Sequence, residues 1–170
     1  MHVSLAFLDP EVARIVDPGA PTPATRLETL RILSEAGVPT GIACSPIIPG
    51  LNDRDIAGLL ERAAEAGARR AFSTLVRLPG PVADVFEERL RAGLPDRVER
   101  ILSALRDERG GELNDSRFGS RMAGRTPRWD AVRQLFELQA RRHGLELGEM
   151  SEPALPEQPQ RPQQGDLFAP

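Results

Sequence analysis

The sequence predicts an α/β fold built from parallel strand–helix units, and three observations carry that prediction. Short, unalternated apolar runs at 2–8, 38–44 and 69–78 read as strands of the kind that are covered on both faces. Between them lie stretches of helical spacing, each closed by a glycine. The strand–helix unit recurs roughly every 33 residues, as it does in βα arrays. A chain of 170 residues with 40% hydrophobic content is long enough to bury one core. It is too short for a whole βα barrel, which needs about 250 residues.

The elements follow in order. HVSLAFL at 2–8 is the first strand. Residues 22–36 form a helix with Thr22 as N-cap, Pro23 in the first turn and Gly37 past the end. Residues 38–44 are the second strand, and it runs into the loop PIIPGLND at 46–53. There Pro46 and Pro49 fix two torsions, Gly50 permits a tight turn, and Asn52 or Asp53 caps the next helix. Ligands of α/β proteins sit at the carboxyl ends of strands, which makes this loop a binding-site candidate; a stiff connector would have the same composition. Ile56, Leu59, Leu60 and Ala63 mark the next helix, closed by Gly67, and residues 69–78 are the third strand. After Pro81 the pattern turns helical, at 82–92, 96–109 and 129–143. The Pro/Gln-rich stretch 152–170 reads as a disordered tail. The domain reading is therefore a βα unit at 1–80, a helical extension at 81–151 and the tail at 152–170.

Composition narrows the function. All 22 basic residues are arginine, there is no lysine and no tyrosine, and the net charge is −3. The single cysteine, Cys44, rules out a disulfide framework or a multi-thiolate metal site within the chain, and its place in an apolar run reads as a small buried hydrophobe. His2 and His143 lack partners at ligand spacing. There is no Ser-His-Asp or Cys-His arrangement and no Gly-rich phosphate loop. With no signal-like segment and no apolar stretch of about 18 residues, the expectation is a cytoplasmic protein without a membrane partner.

A strand of this hydrophobicity at residue 2, with nothing before it to pair with, would be an exposed apolar edge. Three parallel strands do not close a barrel, so the expectation is a chain that forms the carboxyl-terminal part of a longer βα protein. Four stretches point to a family: VSLAFLD at 3–9, DPGAPTPATRLETLRILSEAGVP at 17–39, PIIPGLND at 46–53 and RGGELNDSRFGSRMAGR at 109–125. LVRLPGPV at 75–82 and GDLF at 165–168 add to them. In this order and spacing the chain resembles the carboxyl-terminal half of a radical S-adenosylmethionine (SAM) protein of the spore-photolyase-like, "DNA repair photolyase" type. The resemblance covers nearly the whole chain.

That resemblance implies about three βα units of a partial, TIM-like barrel, followed by the helical extension and the tail. It implies SAM at the strand ends and a [4Fe-4S] cluster held by a CxxxCxxC loop. No such loop is in this sequence, and Cys44 alone does not supply three thiolates. The implied partner is then the missing amino-terminal half of the barrel. Ser4 matches a position where the family places a small hydroxyl near the SAM carboxylate or ribose; an ordinary strand serine is the other reading. Arg26, one turn inside the helix after a Pro-rich loop, is placed to clamp a carboxylate bidentately with help from the helix N-terminus, or to sit as a solvated arginine. Arg77, ending the third strand, is the candidate for substrate electrostatics.

For nucleic acid, the sequence offers seven arginines against two acids between Arg117 and Arg142, interleaved with Phe118 and Trp129. A solvated helix face has the same pattern and is preferred, since the acidic balance gives no long-range attraction to phosphate. The leading expectation is an incomplete radical SAM domain, inactive by itself. The rival is a non-catalytic remnant or interaction module built on the same half-barrel.

Overall fold

The structure is a computed structural model and describes residues 1–113 and 124–148. Ten elements appear among them: β1 (His2–Ser4), α1 (Pro10–Val16), α2 (Pro23–Glu35), β2 (Gly41–Ile47), α3 (Ile56–Glu65), β3 (Arg70–Leu75), α4 (Val82–Gly93), α5 (Val98–Arg109), α6 (Pro127–Arg142) and β4 (Glu146–Leu147). A single 3₁₀ turn, Asp53–Asp55, precedes α3. The four strands form one sheet in the order β1-β2-β3-β4, parallel throughout. The α/β class and the parallel sheet expected from the sequence are therefore present. The tail at 152–170 and residues 114–123 lie outside the described residues.

Several boundaries differ from the expectation, each for a local reason. The apolar run at 2–8 is a strand only to Ser4, because Asp9 caps a helix that begins at Pro10. Its carboxylate accepts from the N–H of Glu11 at 2.8 Å and of Val12 at 3.4 Å, and proline suits the first helical position. The exposed apolar edge is consequently smaller than the run suggested. Leu5 and Phe7 are 2% and 6% exposed, packed into the interior rather than along an open strand. The second strand starts at Gly41, three residues later than expected, and continues through a cis Ser45–Pro46 bond to Ile47. Residues 38–40 serve as the turn out of α2, where the Thr40 hydroxyl donates to the Gly67 carbonyl at 3.0 Å. The 22–36 helix matches closely: Thr22 Oγ1 accepts from Thr25 N–H, and Pro23 is the first residue. β4 was not expected at all.

Register assigns the two faces of the sheet. Ile42, Cys44 and Ala71 point to one side and join a cluster with Leu30 of α2, Leu59, Leu60 and Ala63 of α3, and Trp129, Val132 and Phe136 of α6. The helical extension thus shares a core with the βα units. Among the described residues, the opposite face belongs to no apolar cluster. On it His2 and Ser4 are exposed, and Ser45, Phe72 and Thr74 are half-buried. The His2 ring meets Phe72 edge-on at 5.2 Å, and the Ser45 and Thr74 hydroxyls are hydrogen-bonded to each other. A parallel sheet covered by helices on one face only is uncommon.

A second cluster caps the carboxyl ends of the strands. Ala6, Phe7, Ile48, Leu51, Val76 and Leu78 meet Val12 of α1, Phe86 and Leu90 of α4, and Ile101, Leu102 and Leu105 of α5. At its centre is Asn52, 1% exposed. It does not cap the helix: no side-chain cap bond is made there by Asn52 or by Asp55. Its Oδ1 instead accepts from Ile48 N–H at 2.7 Å, and its Nδ2 donates to the carbonyls of Ala6 at 2.7 Å and Pro46 at 3.0 Å. Asp53 pairs with Arg128 at 2.8 Å. Gly50, with φ of +81°, supplies the left-handed residue of this turn.

Buried backbone groups left without partners are costly. Asn52→Ala is expected to lower unfolding stability by about 2–4 kcal/mol, and Asn52→Asp, which keeps the acceptor for Ile48 but loses both donors, also destabilises. Denaturant titration checks this; a change in Asn52→Ala below about 0.5 kcal/mol, the range of ordinary surface substitutions, would show that the three bonds are dispensable.

Candidate functional site

A cavity of about 280 Å³ opens at the carboxyl ends of β1, β2 and β3, between α1, the loop into α2, and α4. Ser4, Arg26 and Arg77, singled out separately in the sequence, all line it. Ser4 ends β1, and its hydroxyl donates to the Ser45 carbonyl at 3.1 Å across to β2. Arg26 is held from two sides: Nη1 donates to the Ser4 carbonyl at 2.7 Å and Nε to the Pro21 carbonyl at 3.1 Å. The Asp17 carboxylate stands 3.9 Å from Nη2. Two N–H directions of the guanidinium are thus spent on the scaffold, which leaves Nη2 and one N–H of Nη1 without a hydrogen bond. Arg77 lies two residues past β3 and is exposed.

The walls are apolar, with Phe7, Pro46, Val76 and Phe86 prominent. α1 reaches α4 at Gly93, where an added Cβ would come within 2.7 Å of Ile15. Sequence reasoning missed Asp17, Val82, Val85 and Arg89, all of which also line the cavity. A signal for the last three existed, since Val82, Val85, Phe86 and Arg89 fall on one helical stripe.

Other candidates are not brought to this site. Cys44 lies under the helix-covered face, is fully buried, and has its thiol pushed up to about 12 by burial. His2 is lowered from its ordinary value chiefly by burial, and then by the N-terminal amine and Arg70. Among the described residues no group of three or more His, Cys, Asp or Glu could hold a metal ion, and no helix is long and apolar enough to cross a membrane.

The arginine-rich stretch from 117 to 142 is described only in part, with Arg117, Phe118 and Arg121 lying outside. Of the rest, Arg128 pairs with Asp53 at 2.8 Å, Arg133 with Asp130 at 3.6 Å and Arg141 with Glu137 at 3.3 Å. Trp129 is a core residue, 6% exposed, not a surface on which a base could stack. The start of α6 is fastened by buried Glu108, which accepts from the N–H groups of Arg125 at 3.0 Å and Thr126 at 3.1 Å.

The chain has relatives. Over 100 residues it is 34% identical to an uncharacterized protein of Mycobacterium tuberculosis (strain H37Rv), which takes in 58% of this chain and 29% of that protein. An uncharacterized protein of Mycobacterium bovis matches to the same extent. Over 95 residues it is 30% identical to the uncharacterized protein ORF301 of Acidianus two-tailed virus, taking in 53% of this chain and 32% of that protein. The chain spans about a third of the length of the curated relatives it matches. No protein-family model and no solved structure matches it.

Cys44 yields a test of these electrostatics. The folded chain keeps the thiol neutral to about pH 12, whereas in the unfolded chain it ionises near 9.0. The unfolded state therefore sheds its proton first, and stability falls as pH rises through that window. The sequence has no lysine and no tyrosine, the other side chains whose ordinary values lie in that window. The denaturant midpoint is expected to decline from about pH 9 to pH 11 in the native sequence and to stay flat in Cys44→Ala. An equal decline in both would remove Cys44 as its cause.

Proposed function

We propose that the chain is the carboxyl-terminal part of a radical SAM protein of the spore-photolyase-like type, and that SAM binds in the cavity at the strand ends. One observation carries the reading: a parallel sheet that the described helices clothe on a single face, with His2, Ser4, Ser45, Phe72 and Thr74 on the other and a cavity at its carboxyl end. A βα barrel has this arrangement, since its helices form only the outer layer and its ligands sit at that end. Three strands and their crossovers then make up the latter part of a partial barrel, and the open face is its inner wall. Among the described residues β1 pairs on one edge only, with β2, and in this reading a strand of a longer parent protein takes the other. The greater length of the matched relatives supports a longer parent protein.

The residues of this chain do not fit an iron–sulfur cluster. Three thiolates are required, and the one cysteine is buried with its thiol held neutral. In this reading the cluster belongs to the preceding segment, and no step is derived through it. SAM itself fits the cavity in kind. The apolar walls suit an adenine ring, the Ser4 hydroxyl lies at the end of β1, and the remaining N–H groups of Arg26 suit the α-carboxylate. When bound, SAM supplies radical chemistry on reductive cleavage. What this chain contributes is binding and orientation, in a pocket walled by Phe7, Pro46 and Phe86 that keeps water from the ligand. Alone, the chain is expected to be inactive, and nucleic acid as its substrate is supported by the resemblance only.

The decisive reading is the coding sequence upstream: a Cys-x-x-x-Cys-x-x-Cys stretch belongs there, and its absence would turn the chain into a non-catalytic remnant. In the longer protein carrying that loop, Arg26→Ala is expected to weaken SAM binding roughly ten- to a hundredfold, the loss of a charge-assisted pair worth about 1.5–3 kcal/mol. Arg26→Lys keeps a donor for the Ser4 carbonyl but not the planar fork, so it should restore stability more fully than affinity. Calorimetric titration decides the point, and unchanged affinity in Arg26→Ala would leave Arg26 a scaffold residue only.

A further inference from the structure

Two guanidiniums on the cavity rim have no counterpart inside the protein. Arg77 and Arg89 both line the cavity and are exposed, and among the described residues neither makes a side-chain hydrogen bond or ion pair. What sets these two apart is their place, since Arg62, Arg69, Arg106 and Arg142 likewise make none among the described residues but do not line the cavity. Arg31 is paired with Glu28 and Glu35, Arg91 with Glu87 and Glu99, and Arg70 with Glu146. Arg89 also lacks an acid one turn away on its own helix, where positions 85, 86, 92 and 93 are Val, Phe, Ala and Gly. The charged residues lining the cavity are Arg26, Arg77 and Arg89 against Asp17 alone, in a chain whose net charge is −3.

The rim also has an apolar half. Val82 and Val85 of α4 are 49% and 48% exposed and face the same cavity. On the same helix Phe86 and Leu90 are buried, so α4 already has an inward face. The two valines and Arg89, with the rim of Phe86 between them, make up the stripe that faces the cavity. Water gains nothing from two valines beside unpaired guanidiniums, whereas an amphipathic ligand meets both.

We infer that this rim is a subsite for an organic anion, a phosphate monoester or carboxylate carrying an apolar or aromatic body. Arg77 and Arg89 take the anionic group, each by paired N–H donors, and Val82 and Val85 take the body. The inference rests on the reading of the cavity as the ligand-binding mouth and concerns a second molecule, the substrate. SAM is assigned to the other side of the mouth, at Ser4 and Arg26.

The test uses the whole chain with labelled Val, Leu and Ile methyl groups, titrated without SAM with phenyl phosphate, benzoate and uncharged benzyl alcohol, and followed by NMR. Saturable shifts are expected at the Val82 and Val85 methyls, at lower concentration for an anion than for the alcohol; the tighter anion identifies the source as phosphate or carboxylate. Arg77→Gln and Arg89→Gln are each expected to weaken that anion roughly tenfold or more, with unchanged melting since both side chains are exposed. Arg100→Gln, in the separate groove beside Arg54 and Arg128, is expected to leave it unchanged. No saturable anion response, an alcohol that binds as tightly, an unaffected double variant, or shifts centred on Val132 and Leu135 of that groove would each overturn the inference. Because SAM is absent, an intact anion response beside failed SAM binding would count against the SAM reading alone, and the reverse pattern against this subsite alone.

Discussion

The side chain of Asn52 is the constraint on which the functional end of the molecule depends. One amide ties its own turn to a distant part of the chain: it accepts from Ile48 N–H and donates to the Pro46 carbonyl near the end of β2 and to the Ala6 carbonyl two residues past β1. Where strands stop, their carbonyls lose sheet partners. Here apolar side chains cover those ends and keep water away, so side-chain donors must replace it. Other residues repeat the solution. Arg26 serves the Ser4 and Pro21 carbonyls, and Arg109 serves Val76. The cavity floor is thus a set of strand ends pinned by long polar side chains, a rigid base of the kind that lets loops hold a ligand in fixed geometry.

The two apolar clusters divide the labour. One joins the sheet to α2, α3 and α6. The other seats α1, α4 and α5 over the strand ends and gives the cavity its walls. Because α1 and α4 meet at Ile15 and Gly93, the mouth is bounded by helix packing and not by a loop alone. A substitution in the first cluster acts on stability, while one in the second acts on stability and on the shape of the site together.

What the sequence made legible follows the range of each interaction. α2 was readable from Thr22 and Pro23 because capping involves neighbours only. The strands were readable in kind from their apolar runs, but not in extent: their ends depend on where helices begin, and Asp9-Pro10 was a start signal hidden by the continuous apolar run before it. Asn52 was misread as a cap because it precedes a helix, while its bonds run backwards, as far as Ala6, to partners that only the fold brings near. β4 is two residues paired with β3, too short for any periodicity to mark. Ser4, Arg26 and Arg77 were found because strand ends and helix starts are where ligands gather in parallel α/β proteins. Arg89 was not, because a helix after the last strand gave no reason to expect a wall of the site.

Arginine performs two opposed duties around this cavity, and local geometry decides which. With no lysine in the chain, every cationic side chain carries a fork of donors in place of a single ammonium. Where a carbonyl lies within reach, as at Arg26 and Arg109, the fork is absorbed by the scaffold. Where a carboxylate lies one turn away, as at Arg31 or Arg91, it is absorbed by the surface. Arg77 and Arg89 have neither, and both stand at the opening of the one cavity that gathers the strand ends of β1, β2 and β3. Their charge is uncompensated beside apolar walls, where the lower local polarity strengthens an interaction with an anion over its value in open water. At this end of the fold, Arg77 and Arg89 are thus the cavity-lining guanidiniums that no partner among the described residues absorbs.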